Sequence, residues 1–142
     1  MGDFAIDQRI MADCHLLGKW KTCWVMLHRD SAVRWLIIVP ETHASEWHEL
    51  PALITGELLQ TANAFGALLK SEIQCDKVNI AAIGNIVSQF HLHVIGRWKT
   101  DPYWPGVVWG RSSVEAEYSN DEVDQIRKRC FDALNRENQP VQ

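Results

Sequence analysis

The sequence lacks the features that would point to a membrane or to secretion. It has no continuous apolar run long enough to cross a bilayer, and its first residues do not follow the basic-then-apolar order of a signal peptide. Its four cysteines, Cys14, Cys23, Cys75 and Cys130, are widely spaced and form no Cys-x-x-Cys pair. We therefore expect a cytoplasmic protein with reduced, buried thiols, no membrane partner and no structural zinc.

Positive charge is also sparse. The 14 lysines and arginines are scattered among 18 acidic residues, which gives a formal net charge of -4. A protein that binds a polynucleotide needs a concentrated basic surface, so we expect no nucleic-acid partner. A small phosphorylated ligand is still compatible with this composition, because a few local donors are enough to hold it.

The length of the chain predicts one domain over residues 1–142, and apolar periodicity predicts three helices. The helices are expected over residues 4–13, over residues 52–74, and after the capping box formed by Ser119 and Glu122. A chain of this length can bury a sizeable core without metal or disulfide bonds. We expect frayed ends at residues 1–3 and 138–142.

Runs of β-forming residues predict two hairpins. The first joins residues 22–28 to residues 34–39, and the second joins residues 77–83 to residues 89–97 through a turn at Gly84 and Asn85. The order of helices and hairpins predicts an α+β fold, in which an antiparallel sheet carries helices on one face.

The second hairpin contains the most informative stretch, in which polar and apolar residues alternate. As a strand, it would place Phe90, Leu92 and Val94 on one face. Its other face would carry Gln89, His91 and His93. Residues two apart on a strand are separated by roughly 6.5 Å along its axis, so a phosphate group could contact both imidazoles.

A His-x-His pair on a strand has three interpretations. It is a half-exposed polar face without function, half of a metal site, or a pair of catalytic bases. The metal interpretation would take His43 or His48 as a further ligand beside His91 and His93. The residues around the pair favour catalysis over the other two.

Residues 34–43, 79–97 and 102–106 together resemble the histidine triad (HIT) superfamily, over about residues 20–110. The signature of that family alternates three histidines with apolar residues, whereas this chain reads Gln-Phe-His-Leu-His-Val-Ile. Gln89 stands at the first triad position, as in a bacterial-type HIT-like variant. Trp35 stands where the family places a further histidine near the start of the upstream strand.

The resemblance implies an architecture. We expect an antiparallel sheet of about five strands in a core of about residues 14–110, with the long helix packed on the sheet and a C-terminal helical extension over about residues 119–136. Proteins of this family usually pair through the long helix and a sheet edge, so a homodimer is expected.

The resemblance also implies a chemistry that needs neither a metal nor another cofactor. His91 would attack the α-phosphate of a nucleotide conjugate, such as a nucleoside phosphoramidate or a diadenosine polyphosphate, and form a nucleotidyl-histidine intermediate. His93 would donate to phosphate oxygens or assist the leaving group. Gln89 would maintain the hydrogen bonds that orient its neighbours, although an amide cannot take up a proton.

The remaining site residues are assigned by the same resemblance. Gly84, Asn85 and Val87 would contact the phosphate, and Trp104, in the aromatic segment after the histidines, would contact the nucleotide. The family's acidic ribose contact has one local candidate, Asp30, which is equally suited to a turn. The alternative to an enzyme is a catalytically weak, nucleotide-binding regulatory dimer, because two family histidines are replaced.

Overall fold

A computed structural model describes residues 3–137, so the expected frayed ends at residues 1–3 and 138–142 lie outside the described residues, except for Asp3. The elements, in chain order, are α1 (Gln8–Asp13), β1 (Cys14–Trp20), β2 (Cys23–His28), β3 (Arg34–Pro40), a 3-10 turn (Trp47–Glu49), α2 (Ala52–Ser71), β4 (Lys77–Ala81), β5 (Leu92–Arg97) and α3 (Asn120–Glu137). No helix among these is both long and apolar enough to span a bilayer.

The five strands form one antiparallel sheet in the order β1-β2-β3-β5-β4. This confirms the predicted α+β fold. Both predicted hairpins are present, with β2 beside β3 and β4 beside β5. The predicted capping box is also present, because the backbone N–H of Ser119 donates to Glu122 Oε1 (2.9 Å) and that of Glu122 donates to Ser119 Oγ (3.2 Å).

The sequence pattern did not reveal strand β1. A β-bulge between Leu16 and Gly18 breaks its period of two, so that Cys14, Leu17 and Trp20 are buried at three-residue spacing. Gly18 has φ +151°, and a Cβ at this position would lie 2.8 Å from the ring of Phe131. The absence of a Cβ at Gly18 therefore allows Phe131 of α3 to approach the sheet closely.

The two faces of the sheet differ. Helices α2 and α3 cover one face, where Leu36, Ile38, Phe65, Val94 and Leu134 are buried together. The opposite face carries a second apolar cluster that includes Met26, Val33, Trp35, Ile37 and Ile95. The four cysteines are free and buried, as predicted from their spacing.

Asp30 connects two of the loops that border the second face. Asp30 is buried in the loop between β2 and β3, where it accepts hydrogen bonds from Tyr103 Oη and Ser112 Oγ, both at 2.5 Å, and from the backbone N–H of Ala32 at 3.0 Å. Asp30 thus belongs to the turn and joins it to the loop after β5. Its engagement there argues against a ribose contact.

The loop after β5 is fixed by a buried ion pair. Arg97 and Asp101 form two hydrogen bonds, of 2.8 and 3.0 Å, and Arg97 also donates to Asn79 Oδ1 at 3.0 Å. The carboxylate of Asp101 further accepts from the backbone N–H groups of Trp98 and Tyr103. These contacts fix the start of the loop after β5, which lies on the second face, where Trp109 packs against the apolar cluster.

Candidate active site

A cavity of about 700 Å³ lies on the second face of the sheet. Its floor is formed by side chains of β2, β3 and β5, and its walls by α1, the loop after β4 and the loop after β5. The lining residues are Arg9, Ile10, Ala12, Asp13, Cys14, His28, Trp35, Ile37, Ile83, Gly84, Asn85, Ile86, Val87, His91, His93, Trp109 and Gly110. A volume of this size suits a ligand of nucleotide dimensions.

Most of the site residues inferred from the sequence meet in this cavity. Gly84, Asn85, Val87, His91 and His93 all line it. The predicted strand begins three residues later than expected, at Leu92, so residues 89–91 precede it. The predicted alternation of faces nevertheless holds, because Phe90, Leu92 and Val94 enter the core beneath the helices.

The tautomer of His91 follows from its partner. Its Nδ1 lies 2.7 Å from the backbone carbonyl oxygen of Gln89. A carbonyl oxygen can only accept a hydrogen bond, so in the neutral ring Nδ1 carries the hydrogen and Nε2 keeps its lone pair. His91 is 9% exposed, and it therefore combines a fixed ring with an available nucleophilic nitrogen.

The tautomer of His93 is the opposite one. The indole Nε1–H of Trp35 donates to His93 Nδ1 at 2.9 Å, and an indole N–H cannot accept. The hydrogen of the neutral His93 ring must therefore be on Nε2. Burial, together with the neighbouring rings of His91 and His28, lowers the pKa of His93 to about 3. His93 is thus a neutral hydrogen-bond donor.

A third imidazole, that of His28, was not identified from the sequence. Its ring stacks on Trp35 with centroids 3.9 Å apart, and its Nδ1 accepts from the backbone N–H of Asp30 at 3.1 Å. Burial lowers the pKa of His28, although the carboxylate of Asp13 opposes this effect. No local motif marks His28, because it joins the site only through pairing of β2 with β3.

The side chain of Gln89 does not face the two catalytic candidates. Its Oε1 accepts from the backbone N–H of Asp7 and its Nε2 donates to the carbonyl of Ala5, both at 2.8 Å. The side chain therefore holds the segment before α1 instead of joining a network with the triad rings. Only the backbone carbonyl of Gln89 orients His91.

Helix α1 forms one wall of the cavity, a role that the sequence did not predict for it. Asp7 caps it by accepting from the backbone N–H of Arg9 at 2.8 Å, so the helix begins at Gln8 and not near residue 4 as expected. The guanidinium of Arg9 binds the Asp7 carboxylate at 3.0 Å and the carbonyl of Ile86 at 3.1 Å. Arg9 thus joins α1 to the loop after β4 at the cavity rim.

Trp104 does not line the cavity. Its ring lies 5.7 Å from Cζ of Arg97, next to the buried ion pair. Trp109 occupies the place expected for an aromatic residue at the site, because its ring meets that of His93 edge to face at 5.2 Å. The loop after β5 therefore supplies an aromatic residue to the cavity lining, Trp109, while Trp104, the residue named from the sequence, lies outside that lining.

The metal interpretation of the histidine pair has no support from the geometry. His43 and His48 are exposed between β3 and α2 and do not line the cavity. Within residues 3–137, no three His, Cys, Asp or Glu side chains are grouped closely enough to hold a metal ion. His91 and His93 consequently have no third protein ligand in this part of the chain.

Comparisons with known proteins identify the family of this chain. The HIT domain model matches residues 9–100. The crystal structure of a histidine triad protein from Sinorhizobium meliloti 1021 is 35% identical, with a TM-score of 0.84, over 92% of this chain and 96% of that one. A histidine triad protein from Marinobacter aquaeolei VT8 is 34% identical, with a TM-score of 0.86, over 95% and 98%.

A more distant neighbour shares the fold alone. The structure of a hypothetical histidine triad nucleotide-binding protein from Sulfolobus tokodaii strain 7 is 14% identical, with a TM-score of 0.61, over 87% of this chain and 85% of that one. No curated protein matches the sequence.

Proposed function

Because the chain belongs to the histidine triad family, we propose that it is a nucleotidyl hydrolase or transferase. It would bind a nucleotide conjugate and cleave the bond between the α-phosphorus and the leaving group. The observation that carries this proposal is the contact between His91 Nδ1 and the carbonyl of Gln89, which leaves Nε2 of a cavity-lining imidazole free to attack phosphorus.

The reaction would take place in two steps. The lone pair of His91 Nε2 forms a bond to the α-phosphorus while the bond to the leaving group breaks, and the nucleotide is then attached to His91. In the second step water or another hydroxyl acceptor forms a P–O bond to the same phosphorus and gives up its proton to solvent, while the P–N bond breaks and the electron pair returns to Nε2 of the neutral ring. The Gln89 carbonyl supports both steps, because it accepts from Nδ1–H throughout.

Hydrogen-bond donors around His91 would stabilise the negative charge that develops on the phosphate oxygens. The neutral His93 ring supplies an N–H at Nε2, and the amide of Asn85 lies on the same lining. Such donors are effective when they are fixed in advance, and the bond from Trp35 fixes the ring of His93. The nucleoside would lie along the apolar lining that includes Ile10, Cys14 and Ile37.

A turnover assay tests the proposal. Release of nucleoside monophosphate from an adenosine 5'-monophosphate conjugate is measured for the wild type, for His91→Asn, and for His48→Asn as a control outside the cavity. We expect His91→Asn to abolish release and His48→Asn to retain it. Release that survives in His91→Asn would contradict the assignment, and binding without any product would favour the regulatory alternative.

A further inference from the structure

The three imidazoles on the cavity lining hold their protons in a fixed arrangement. The Nδ1 atoms of His93 and His28 accept from groups that can only donate, an indole N–H and a backbone N–H. The Nδ1 of His91 faces a carbonyl, which can only accept. Each partner therefore dictates one tautomer, so that His91 offers a lone pair while His28 and His93 each carry hydrogen on Nε2.

This arrangement leaves the site without an imidazolium acid. Protonation of His93 would place a second hydrogen on Nδ1, opposite the Trp35 N–H, and would break the 2.9 Å bond between them. Burial of His93, which is 5% exposed, opposes the same change. A neutral imidazole N–H donates a hydrogen bond but is a far weaker acid than an imidazolium. Gln89 cannot supply the proton either, since its side chain is an amide bound to Ala5 and Asp7.

From these contacts we infer that the site selects nucleotide conjugates whose leaving group departs as a stable anion, such as the phosphate side of an anhydride, over conjugates with an amine leaving group. The inference rests on the proposed function. When His91 attacks an anhydride, the P–N bond forms, the P–O bond breaks, and the oxygen leaves with the electron pair and needs no proton. An amine leaving group must gain a proton as its P–N bond breaks.

The rim of the cavity supplies a second argument for an anionic leaving group. The guanidinium of Arg9 has five N–H groups. Three of them are engaged, two by the Asp7 carboxylate and one by the Ile86 carbonyl. The other two have no partner among the described residues, so Arg9 can bind phosphate oxygens beyond the scissile bond.

Trp35 is thus a positioning residue that sets leaving-group preference through His93. Replacement by histidine introduces a ring that can accept a hydrogen bond, so protonation of His93 at Nδ1 no longer breaks the bond to residue 35 and becomes less unfavourable. Trp24→Phe is the matched control, because Trp24 lies on the neighbouring strand, donates its indole N–H to Glu41 at 3.1 Å, and does not line the cavity.

The test compares kcat/KM for diadenosine triphosphate and for an adenosine 5'-N-alkylphosphoramidate. We expect the wild type and Trp24→Phe to prefer the anhydride by at least about 100-fold, the lower range of what a general acid contributes. Trp35→His should reduce that ratio at least about tenfold, mainly through faster phosphoramidate cleavage. Nitrogen-15 NMR should show that Nδ1 of His93 accepts a hydrogen bond in the wild type. In Trp35→His the chemical shift of this nitrogen should change, because the donor opposite it has been replaced.

The outcomes separate the two proposals. Wild-type cleavage of the phosphoramidate as fast as the anhydride would overturn the inference while leaving the proposed function intact. An unchanged ratio in a folded Trp35→His protein, checked by circular dichroism, would overturn the role of Trp35. Cleavage of neither substrate, with no adduct on His91, would overturn the proposed function and the inference with it.

Discussion

His91 and His93 are two positions apart, and their neutral rings carry the hydrogen on different nitrogens. The carbonyl that orients His91 is two residues away in sequence, whereas the indole that orients His93 comes from Trp35, 58 residues away. The first contact is local, but the sequence analysis expected the side-chain amide of Gln89 to orient its neighbours, whereas the backbone carbonyl does so. The second required the pairing of β3 with β5, so the sequence could name His93 as a site residue but not its tautomer.

The buried, neutral state of His93 predicts a pH dependence of stability. Its pKa is lowered from the unfolded value near 6.5 to about 3, so the unfolded chain binds the proton more readily. The stabilisation is complete above pH 6.5 and is lost as pH falls towards 3. Between pH 6.5 and 5 this loss amounts to about 2 kcal/mol.

Urea unfolding of the wild type and of His93→Gln at pH 7 and pH 5 measures this effect. The wild type should lose more stability on acidification than the variant, and the difference isolates His93 from the other histidines. Equal losses in the two proteins would show that His93 titrates normally in the folded state.

Gln89→Ala should weaken substrate binding more than chemistry. The substitution removes two 2.8 Å hydrogen bonds that hold the backbone of Ala5 and Asp7, at a cost of about 1–2 kcal/mol in stability. It keeps the backbone carbonyl that orients His91. We expect a raised KM with kcat nearly unchanged, and no change for Gln60→Ala, an exposed position on α2. A loss of kcat alone would instead place the amide in the chemical step.

Among the helices and strands, those in which buried residues recur at a regular spacing could be predicted from the sequence. Helix α2, the capping box of α3 and both hairpins follow from local periodicity and cap residues, and each is present. Strand β1 was missed because its bulge removes the alternation that identifies a strand. The residues before α1 are not helical, contrary to the prediction, and their position depends on hydrogen bonds to Gln89, more than 80 residues away.

The loop after β5 should depend on its buried ion pair. Asp101→Asn would leave the Arg97 charge buried without a counter-ion, since both side chains are almost fully buried. Removing one partner of such a pair costs about 3–5 kcal/mol. The exposed pair of Lys128 and Asp132 on α3 is the control, and Asp132→Asn should cost at most about 1 kcal/mol. Chemical denaturation measures both, and similar costs would refute the structural role of the buried pair.

For the whole molecule, the two faces of one sheet serve different purposes. The face beneath α2 and α3 is filled by apolar side chains, and the other face is only partly filled, which leaves the cavity. The motif predicted that histidines share a face, and it could not predict that α1 closes the cavity. That closure depends on contacts between the N-terminal segment and the loop after β4. These contacts join residues far apart in the sequence, so no local pattern predicts them.

A homodimer remains a proposal that the surface of the chain supports. Strand β4 lies at the edge of the sheet, and Ile80, Ile86 and Leu59 are 54%, 83% and 50% exposed. Apolar side chains of this size are stabilised by burial against a second copy. We expect light scattering to give twice the 16.3 kDa mass of the monomer at micromolar concentration, and Ile80→Lys to reduce it. A monomer mass across that range would contradict the proposal.

We propose that His91 Nε2 carries the nucleotide during the reaction. In the most direct test, the enzyme reacts with a diadenosine polyphosphate and the reaction is stopped at alkaline pH, where the phosphorus–nitrogen bond is preserved. The adduct is then mapped by peptide mass spectrometry. We expect one adenylyl group on the peptide that contains His91, formed before product and absent in His91→Asn. An adduct on another residue, or product formed without any adduct, would contradict it.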